Sequence, residues 1–563
     1  MEKIIQENNT TMTYFEKHKE LIERSAQGLA QRTYFAPYPE HPKAYGEDAP
    51  ANGQKAFNAA LNNKFTSLLQ TGENGWQGEE VSPYTQETLG IQYPTFTTDT
   101  LVNNAKTAFK SWRKTTVNQR AGILAEALDR LKPRFFEIGH ATQHTTGQSF
   151  MMSFQASGPH AADRAMESIA MAYTEQQRFP ANTSWVKPMG KFDIKLDKKY
   201  KAIPKGISLV IGCSTFPTWN TVPGMFGSLV TGNPVIVKPH PKSTLAIAIV
   251  IEEVQKTLKD AGFDPNTVQM AYDTTAQPIT KELAEHADVK LIDYTGNSEF
   301  GNYIESIPGK TVFTEKAGVN PVILDSVKDL KEVFQNLAFS ISLYSGQMCT
   351  APQNFFIPET GIKTAEGTVS YDDAVDLFKK CINGLVNHPK MGAGTLGAVQ
   401  NPATVERTKE AKNLGAKIVL DTQKVENTEF ANARTIAPTL LEVNAADEHI
   451  YDKELFGPIA LVIKTKDTNE SVALAKKMVE KHGCISCAAY AQDEPTKDMI
   501  EEEMEAVFAP VSFNLTGFIW VNQHAAFSDF HVTGGNPAGN ASFTNPEFVS
   551  KRYVWVGIRE LVQ

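Results

Sequence analysis

Ile207-Ser208-Leu209-Val210-Ile211, followed at once by Gly212, is the stretch that decides the fold of this chain. Its aliphatic and β-branched residues are typical of a strand that is buried on both faces. Similar apolar runs follow at 234–238, 267–271, 289–294 and 311–314, with helical patterns at 244–261 and 279–286. Repeated strand-helix units of this size predict an α/β fold with a parallel sheet, whose ligands bind beyond the carboxyl ends of the strands.

The length and charge of the chain restrict the possible functions. Its 563 residues suggest about three to four domain-sized units. A net charge of −9 without a long basic block argues against a nucleic acid or an anionic membrane as partner. The first residues lack the apolar core of a signal peptide, and no apolar run is long enough to span a membrane. A cytoplasmic location is therefore expected.

The cysteines do not form a recognisable framework. There are five, an odd number, at positions 213, 349, 381, 484 and 487, which argues against structural disulfides. Cys484 and Cys487 form a CxxC pair, but they lie in an apolar, strand-like run without a second pair or a histidine partner. Core packing explains this pair better than metal or redox chemistry, and no metal site is predicted.

One cysteine stands in a different context. Cys349 ends the turn Gly346-Gln347-Met348-Cys349, after a helical pattern from Leu330 to Ile341, and Glu315 ends an apolar strand upstream. A lone intracellular cysteine is commonly a small buried hydrophobe, and a lone glutamate is commonly a surface carboxylate. Together they suggest a thiol nucleophile and a base that abstracts a proton from water, because a loop beside a sheet edge gives a thiol access to ligands.

Two strand ends carry candidate cofactor chemistry. Lys238 ends the strand at 234–238, where its ammonium group can reach a ribose hydroxyl or a phosphate. The turn from Thr295 to Gly301 follows another strand and opens a helix, and helix N-termini bind pyrophosphate through free N–H groups. The spacing is not the GxGxxG of a standard dinucleotide fingerprint.

The first 80 residues form a distinct extension. A helical pattern covers about 14–31, and the aromatic, proline-rich segment 34–42 follows it, which we call the strap. Its proline spacing forbids a regular helix. Because disordered linkers rarely contain so many aromatic residues, we expect the strap to pack on a neighbouring surface.

Read as a set, these blocks resemble the aldehyde dehydrogenase superfamily over residues 80 to 525. The matching blocks, in family order, are Phe216-Pro217, Gly232-Asn233, Val237-Lys238-Pro239, Thr295 to Gly301, Glu315 to Pro321, Gly346 to Cys349, Glu454 to Pro458 and Trp520-Val521-Asn522. Each block is a weak motif alone, but the set in this order, with the Glu-to-Cys interval of the family, is specific.

The resemblance implies an organisation into units. It implies an NAD(P)-binding domain over 81–314 with an oligomerisation hairpin near 190–205, and a catalytic domain over 315–525. Residues 1–80 are then an N-terminal extension, and residues 526–563 a C-terminal oligomerisation or tail segment. Family members assemble as dimers or tetramers, so a homodimer or homotetramer is expected here.

The resemblance also implies roles for individual residues. Cys349 attacks the aldehyde carbon to form a thiohemiacetal and then a thioester, and Glu315 activates the water that releases the acid. The cofactor accepts the hydride. The residues expected to bind the cofactor are Lys238 and Glu454 at the ribose hydroxyls, with Phe456 beside them, and Gly296, Asn297 and Gly301 at the diphosphate.

Three departures from the family pattern bear on these roles. Thr215 stands where the family has an asparagine that donates to the oxyanion, and Asn220 is out of register for that position. Pro241 replaces a glutamate that would repel a 2′-phosphate, and Lys242 can bind one, so NADP is expected somewhat more than NAD. The usual C-terminal block after Asn522 is absent, and Thr533 to Pro537 is a loose substitute.

The strap, with His41 to Gly46, resembles most the phenylacetate-degradation branch, the PaaN-type aldehyde dehydrogenases. That resemblance implies a semialdehyde substrate, in this branch carried on coenzyme A. Two other functions stay open. A CoA-acylating dehydrogenase would resolve the thioester with free CoA; Thr215 and His240 favour it, and Glu315 speaks against it. A non-catalytic protein could have kept the fold.

Overall fold

The structure is a computed structural model that describes the backbone of residues 2–562 and the side chains of residues 13–562. Its amino-terminal part begins with a helix, Glu2–Gln31, that extends the helix predicted from residue 14. A 3-10 turn (Pro42–Tyr45), a second helix (Ala49–Ala60) and a short antiparallel hairpin (Gly75–Gln77 with Tyr93–Thr95) follow. The long helix packs against two later helices, Val117–Leu131 and Pro159–Gln177.

The strap packs on the protein surface, as its aromatic content predicts. Tyr38 is buried, and its backbone N–H donates to Asp163 at 3.1 Å. The Phe35 ring meets Phe527 edge-on, with 5.2 Å between the centroids. The Arg32 guanidinium donates to the carbonyl of Thr544 at 2.9 Å. The extension is thus tied to the last fifty residues of the chain.

The first large sheet has five strands, all parallel, which confirms the predicted α/β class. In spatial order the strands are Val268–Met270, Val235–Lys238, Ile207–Ile211, Val289–Thr295 and Thr311–Glu315. The deciding strand, Ile207–Ile211, lies in the centre, and every one of its residues is buried. The strand order reverses on either side of it, so the crevice at its carboxyl end is where a sheet of this kind binds ligands.

Helices cover this sheet. They are Thr98–Trp112, Val117–Leu131, Phe135–Thr146, Phe150–Ser157, Pro159–Gln177, Val222–Val230, Leu245–Asp260, Thr280–Glu285 and Ser298–Ser306. The helix Val117–Leu131 begins with a capping box, in which Thr116 and Gln119 satisfy each other's backbone N–H groups. Among the described helices, none is long and apolar enough to cross a membrane.

The second large sheet has seven strands, of which one edge strand is antiparallel. In spatial order they are Lys417–Leu420, Thr439–Asn444, Ile459–Thr465, Asn354–Pro358, Pro321–Leu324, Cys487–Tyr490 and Val511–Phe513. The helices around it are Leu330–Ser342, Tyr371–Val386, Gly392–Leu396, Pro402–Glu410, Glu448–Tyr451, Thr468–His482 and Glu494–Glu505. Cys484 and Cys487 are free thiols that lie buried in the core of this second sheet. The chain passes from the first sheet to the second between Glu315 and Pro321.

A third sheet projects from the surface. Its strands are Asn182–Pro188, Asp193–Pro204 and Tyr553–Leu561, all antiparallel. Two further short strands are Ile362–Thr364 and Gly367–Val369, and a short helix spans Glu547–Ser550. Between residues 526 and 552, Phe527, Phe543 and Phe548 lie buried in the first core. The last strand, Tyr553–Leu561, is mostly exposed.

Candidate active site

Cys349 follows a strained turn at the end of the helix Leu330–Ser342. Tyr344, Ser345 and Gly346 have φ values of 53°, 49° and 61°, the left-handed region that non-glycine residues avoid. Side chains hold this conformation: the Tyr344 hydroxyl donates to Thr146 at 2.7 Å, and Ser345 donates to Leu396 at 2.9 Å. Strain that is held by surrounding contacts in this way is common at functional sites.

Asn320 fixes the backbone around the cysteine. Its side-chain N–H groups donate to the carbonyls of Cys349 at 2.8 Å and Ala351 at 2.9 Å. Its side-chain oxygen accepts from the backbone N–H groups of Ile485 at 2.9 Å and Ser486 at 3.2 Å. The block Glu315 to Pro321 therefore positions both a carboxylate and the loop that carries the thiol.

Glu315 ends the last strand of the first sheet and is buried. Its carboxylate accepts from the Asn220 amide at 2.9 Å, and its other oxygen lies 3.0 Å from Nε2 of His531. Burial alone would raise the pKa of this carboxyl. The charge and hydrogen bond of His531 outweigh it, so the pKa lies below the ordinary glutamate value. Glu315 is therefore a carboxylate at neutral pH.

The thiol of Cys349 lies close to the same histidine, with 3.7 Å between Sγ and Nε2 of His531. Burial and the neighbouring Glu315 carboxylate raise the pKa of the thiol well above its ordinary value. The thiol proton must therefore leave before the sulfur can attack. The ligand atoms of Cys349, Glu315 and His531 lie within 4.8 Å of one another, and hydrogen bonds link His531 to both of the other residues.

Two cavities meet at Cys349. The first has a volume of about 590 Å³ and a mainly apolar wall, and we call it the aldehyde cavity. The second, of about 800 Å³, lies over the carboxyl ends of the first sheet, and we call it the cofactor cleft. Cys349 and Asn220 line both of them, while Glu315 lines the cleft. A reacting atom bound at Cys349 can thus face a ligand in each cavity.

The cofactor cleft collects most of the residues predicted to bind a dinucleotide. Those that line it are Lys238, Gly296, Asn297, Glu454 and Phe456. Gly301 and Lys242 are not among its lining residues. Gly301 lies in the first helical turns behind the cleft, where it packs against Lys316, so its contribution is close packing of the helix and not contact with a ligand.

The donor set of the cleft fits NAD or NADP. The helix Ser298–Ser306 begins at the cleft, and Asn297 caps it through the backbone N–H of Phe300. The Gly296 N–H donates to the carbonyl of Glu315 at 3.1 Å, which ties this turn to the catalytic strand. Burial raises the pKa of Glu454 to about 7, against the lowering effect of Arg407, so this carboxyl can both donate and accept near neutral pH.

Asp273 places a carboxylate beside Lys238 in the cofactor cleft, which bears on the choice between NAD and NADP. Its carboxylate forms an ion pair with Lys238 at 2.6 Å, and both side chains are buried in the cleft wall. A carboxylate is therefore present in the cleft although Pro241 provides none. Asp273 follows the strand Val268–Met270, and no motif surrounds it. The sequence therefore offered no signal for its position.

The structure favours Asn220 over Thr215 as the side-chain donor beside the thiol. Asn220 lines the aldehyde cavity and lies next to Glu315, whereas Thr215 lines only the cofactor cleft. One Asn220 N–H binds Glu315, which leaves its second N–H for another acceptor.

His531 and His524 were not identified from the sequence. They lie in the irregular segment after Asn522, and their Nδ1 atoms are 3.1 Å apart. The only sequence signal was the departure from the family's C-terminal block. His531 approaches Glu315 across 216 positions of chain, a separation over which no local pattern carries information.

Comparisons with known proteins agree with this geometry. The family model described as the aldehyde dehydrogenase family matches residues 71–536. The crystal structure of an NAD-dependent aldehyde dehydrogenase from Burkholderia multivorans shares 40% identity, covers 98% of this chain and 99% of its own, and superposes with a TM-score of 0.95. An NADP-dependent succinate-semialdehyde dehydrogenase of Deinococcus radiodurans is 24% identical over 495 residues, which cover 83% of this chain and 94% of that protein.

Proposed function

Since the chain belongs to the aldehyde dehydrogenase family, we propose that it oxidises an aldehyde to a carboxylic acid with Cys349 as nucleophile and Glu315 as base. The observation that carries this proposal is the position of Cys349, at the junction of the two cavities and beside a buried carboxylate. NAD or NADP is the cofactor, and it accepts the hydride when bound in the cleft.

In the first half of the reaction, Cys349 loses its proton and its sulfur attacks the aldehyde carbon. The carbonyl oxygen becomes an oxyanion, and the second N–H of Asn220 is suited to bind it. Loss of the hydride from this carbon converts the thiohemiacetal to a thioester. Asn320 holds the backbone of Cys349 in one place while the carbon changes geometry.

In the second half, Glu315 takes a proton from water, and the resulting hydroxide attacks the thioester carbon. The carbon–sulfur bond breaks, the carboxylic acid leaves, and the thiolate is restored. Because the Glu315 pKa lies below the ordinary value, its base form is present throughout the neutral range and persists as the pH falls toward 4.5.

The residues of the cleft have separate tasks in this proposal. Lys238 and Glu454 would hold the ribose hydroxyls, with Phe456 alongside, and Gly296 and Asn297 would bind the diphosphate. Gly301 contributes packing. Lys242 does not line the cleft, so it has no phosphate contact in this proposal.

A product assay tests the proposal. The full chain is incubated with aldehydes and with NAD or NADP, and reduced cofactor and carboxylic acid are measured together. We expect equal amounts of both products, and at least about a thousandfold lower rate for Cys349→Ala with an unchanged melting temperature. Cofactor reduction that survives in Cys349→Ala would contradict the assigned nucleophile.

A CoA-acylating reaction is the second candidate. His240 lines the cleft, and burial lowers its pKa to about 4, so it is a neutral group that could contact a bound thiol. Against it, Glu315 is present as a carboxylate base beside Cys349. An acyl-CoA that appears only when CoA is added would favour this candidate over hydrolysis.

We further propose that the enzyme belongs to the phenylacetate-degradation branch, with a CoA-linked semialdehyde as substrate and a cytoplasmic location. The support is the aromatic strap with His41 to Gly46, whose resemblance to that branch extends outside the family blocks. Assembly as a homodimer or homotetramer is part of the same proposal, supported by the projecting third sheet.

A further inference from the structure

We infer that the aldehyde substrate has an uncharged, apolar body of about six to ten carbon or other heavy atoms next to its reacting carbonyl; this inference rests on the proposed function. Ligand cavities of roughly 300–1,000 Å³ enclose drug-sized molecules. The aldehyde cavity, at about 590 Å³, is therefore larger than an aldehyde of three or four carbons needs.

The wall of the aldehyde cavity is built from aromatic and sulfur-containing side chains. Six of them are Met152, Phe216, Trp219, Phe339, Met348 and Trp520. Phe339 and Trp520 stack on each other, with 4.5 Å between the ring centroids and 26° between the planes. Stacked rings have little freedom to move, so this part of the wall is preformed for a flat or chain-like apolar group.

The charges around the cavity disfavour a carboxylate inside it. Among the described lining residues, Lys390 is the only lysine or arginine, and it is exposed. His160 is paired with Glu40 at 2.9 Å, and His531 with Glu315 at 3.0 Å. Burial lowers the pKa of His524 well below its ordinary value, so it is neutral. A carboxylate buried in this cavity would therefore lack a cationic partner.

A matched pair of substrates tests this inference. We would compare kcat/KM for 8-oxooctanoate with that for its methyl ester, which differ only in the distal charge, and include succinate semialdehyde and phenylacetaldehyde. We expect the ester to be preferred at least about tenfold, because the free carboxylate must lose its hydration. A CoA thioester of similar length should behave as the ester does, since its charges lie far from the aldehyde.

Variants of the cavity wall complete the test. Trp520→Ala and the milder Phe339→Leu should lower kcat/KM for the ester more than for succinate semialdehyde. Lys55→Met, on the exposed face of the helix Ala49–Ala60 and outside both cavities, should change neither. Preference for the free carboxylate would overturn the inference and leave the proposed function intact. No oxidation of any aldehyde would overturn the proposed function itself.

A separate observation, the contact of one imidazole nitrogen with two reactive groups, points to His531 as a further catalytic residue. Its Nε2 lies 3.0 Å from Glu315 and 3.7 Å from the sulfur of Cys349. A carboxylate can only accept hydrogen bonds, so Nε2 must carry the proton. The same N–H is within reach of the sulfur.

Neighbouring groups hold the His531 ring in this orientation. Its Nδ1 lies 3.1 Å from Nδ1 of His524, Phe543 stacks on one face, and Trp219 meets it edge-on. His524 is neutral, because burial lowers its pKa. The other charged or titratable groups near this cluster are Arg164, which forms an ion pair with Glu167, and Cys213 and Glu454, which influence Cys349. The ring is therefore held with its Nε2 N–H within reach of both Cys349 and Glu315.

The role of His531 is to share this donor between the two groups. While Cys349 is a thiol, the N–H binds Glu315. When the thiol proton passes to Glu315 and on to solvent, the N–H binds the sulfur anion instead, which lowers the cost of the buried thiolate. No bond to His531 forms or breaks, and Glu315 is freed to accept the proton of water later.

The alkylation rate of Cys349 tests this role without any substrate. Iodoacetamide modification is followed from pH 6 to 10, with Cys349→Ala as background for the other cysteines. His531→Gln keeps an N–H of similar reach, while the His531→Asn side chain is too short. We expect the Asn variant to react about tenfold more slowly at pH 7 and to need a higher pH for half-maximal rate. The Gln variant should recover part of this loss.

The exposed His449 provides the matched control, and His449→Asn should behave as the unchanged protein. Both His531 variants are polar and of similar or smaller size, and their melting temperatures are measured in parallel. Wild-type alkylation profiles in both folded variants would overturn the role. Because no turnover is needed, this result is independent of the substrate and of the proposed function.

Discussion

Glu315 is controlled by two residues that are far away in the chain. Asn220 binds one of its oxygens and His531 the other, so the carboxylate cannot rotate freely. Burial alone would raise the pKa of this carboxyl, but the charge and hydrogen bond of His531 outweigh it. The Glu315 side chain thus has a fixed orientation and stays ionised. A base that activates water needs both properties.

Replacing Glu315 by glutamine tests the base directly. The amide keeps the size of the side chain but cannot accept the water proton. We expect a first burst of reduced cofactor, close to one per active site, and then turnover slower by at least about a hundredfold. Stopped-flow absorbance measures both phases. Equal burst and steady rates in Glu315→Gln would show that another group activates the water.

Asn220 and Thr215 can be separated by substitution. We expect Asn220→Ala to slow the burst phase by about a hundredfold, because removal of one oxyanion donor has effects of this size. Thr215→Val is the matched control and should leave the burst rate within about threefold, since Thr215 lines the cofactor cleft and not the aldehyde cavity. The opposite ranking of the two variants would restore the role expected from the sequence.

At the scale of elements, the strained turn before Cys349 depends on a close approach of two loops. Gly346 has a φ of 61°, and a Cβ placed there would lie 2.5 Å from the carbonyl oxygen of Gly457. Gly457 belongs to the block Glu454 to Pro458, which also lines the cofactor cleft. The turn therefore links the proposed nucleophile to the residues that we propose bind the ribose.

Gly346→Ala should be harmful for this reason. We expect a loss of about 1–3 kcal/mol in the free energy of unfolding, from backbone strain, and a drop in kcat because the thiol is displaced. Gly384→Ala is the control: this glycine lies in the helix Tyr371–Val386 with no atom near the added Cβ, so it should be neutral or slightly stabilising. Denaturant unfolding and steady-state rates measure both. Normal activity in Gly346→Ala would show that the turn tolerates a side chain.

The strap and the C-terminal segment form another coupled pair of elements. Arg32 and Phe35 contact Thr544 and Phe527, which flank the segment that carries His531. The N-terminal extension therefore supports the back of the active site, a role that its position in the sequence did not indicate.

At the scale of the whole molecule, the third sheet is the most unusual surface. Both faces of its last strand are exposed, and it carries several apolar side chains: Val554, Val556, Ile558 and Leu561. Phe192, beside the hairpin, is 63% exposed. An apolar surface of this kind is typical of a contact between subunits.

Val556→Asp tests this surface. We expect the charged side chain to weaken self-association at least about tenfold, because it would lose its hydration in an apolar contact. Sedimentation velocity over a range of concentrations measures the change. Ile418→Asp, at a similarly exposed apolar position on the edge of the second sheet, should not alter it. An unchanged mass distribution for Val556→Asp would exclude this strand from the contact.

The sequence alone determined the α/β class, the parallel sheet and its strands, and the pairing of Cys349 with Glu315. These features depend on local patterns, apolar runs and short motifs, that keep their meaning without knowledge of the rest of the chain. The same holds for the helix Leu330–Ser342. Its apolar spacing predicts where the helix ends and therefore where the turn that leads to Cys349 begins.

Only the tertiary structure decided which other side chains surround this pair. Asn220 lies 95 positions from Glu315 and His531 lies 216 positions away, and both are held by irregular loops. Asp273 likewise meets Lys238 from a neighbouring strand region. A side chain on a loop reaches its partner through the packing of the whole chain, which leaves no periodic or local trace in the sequence.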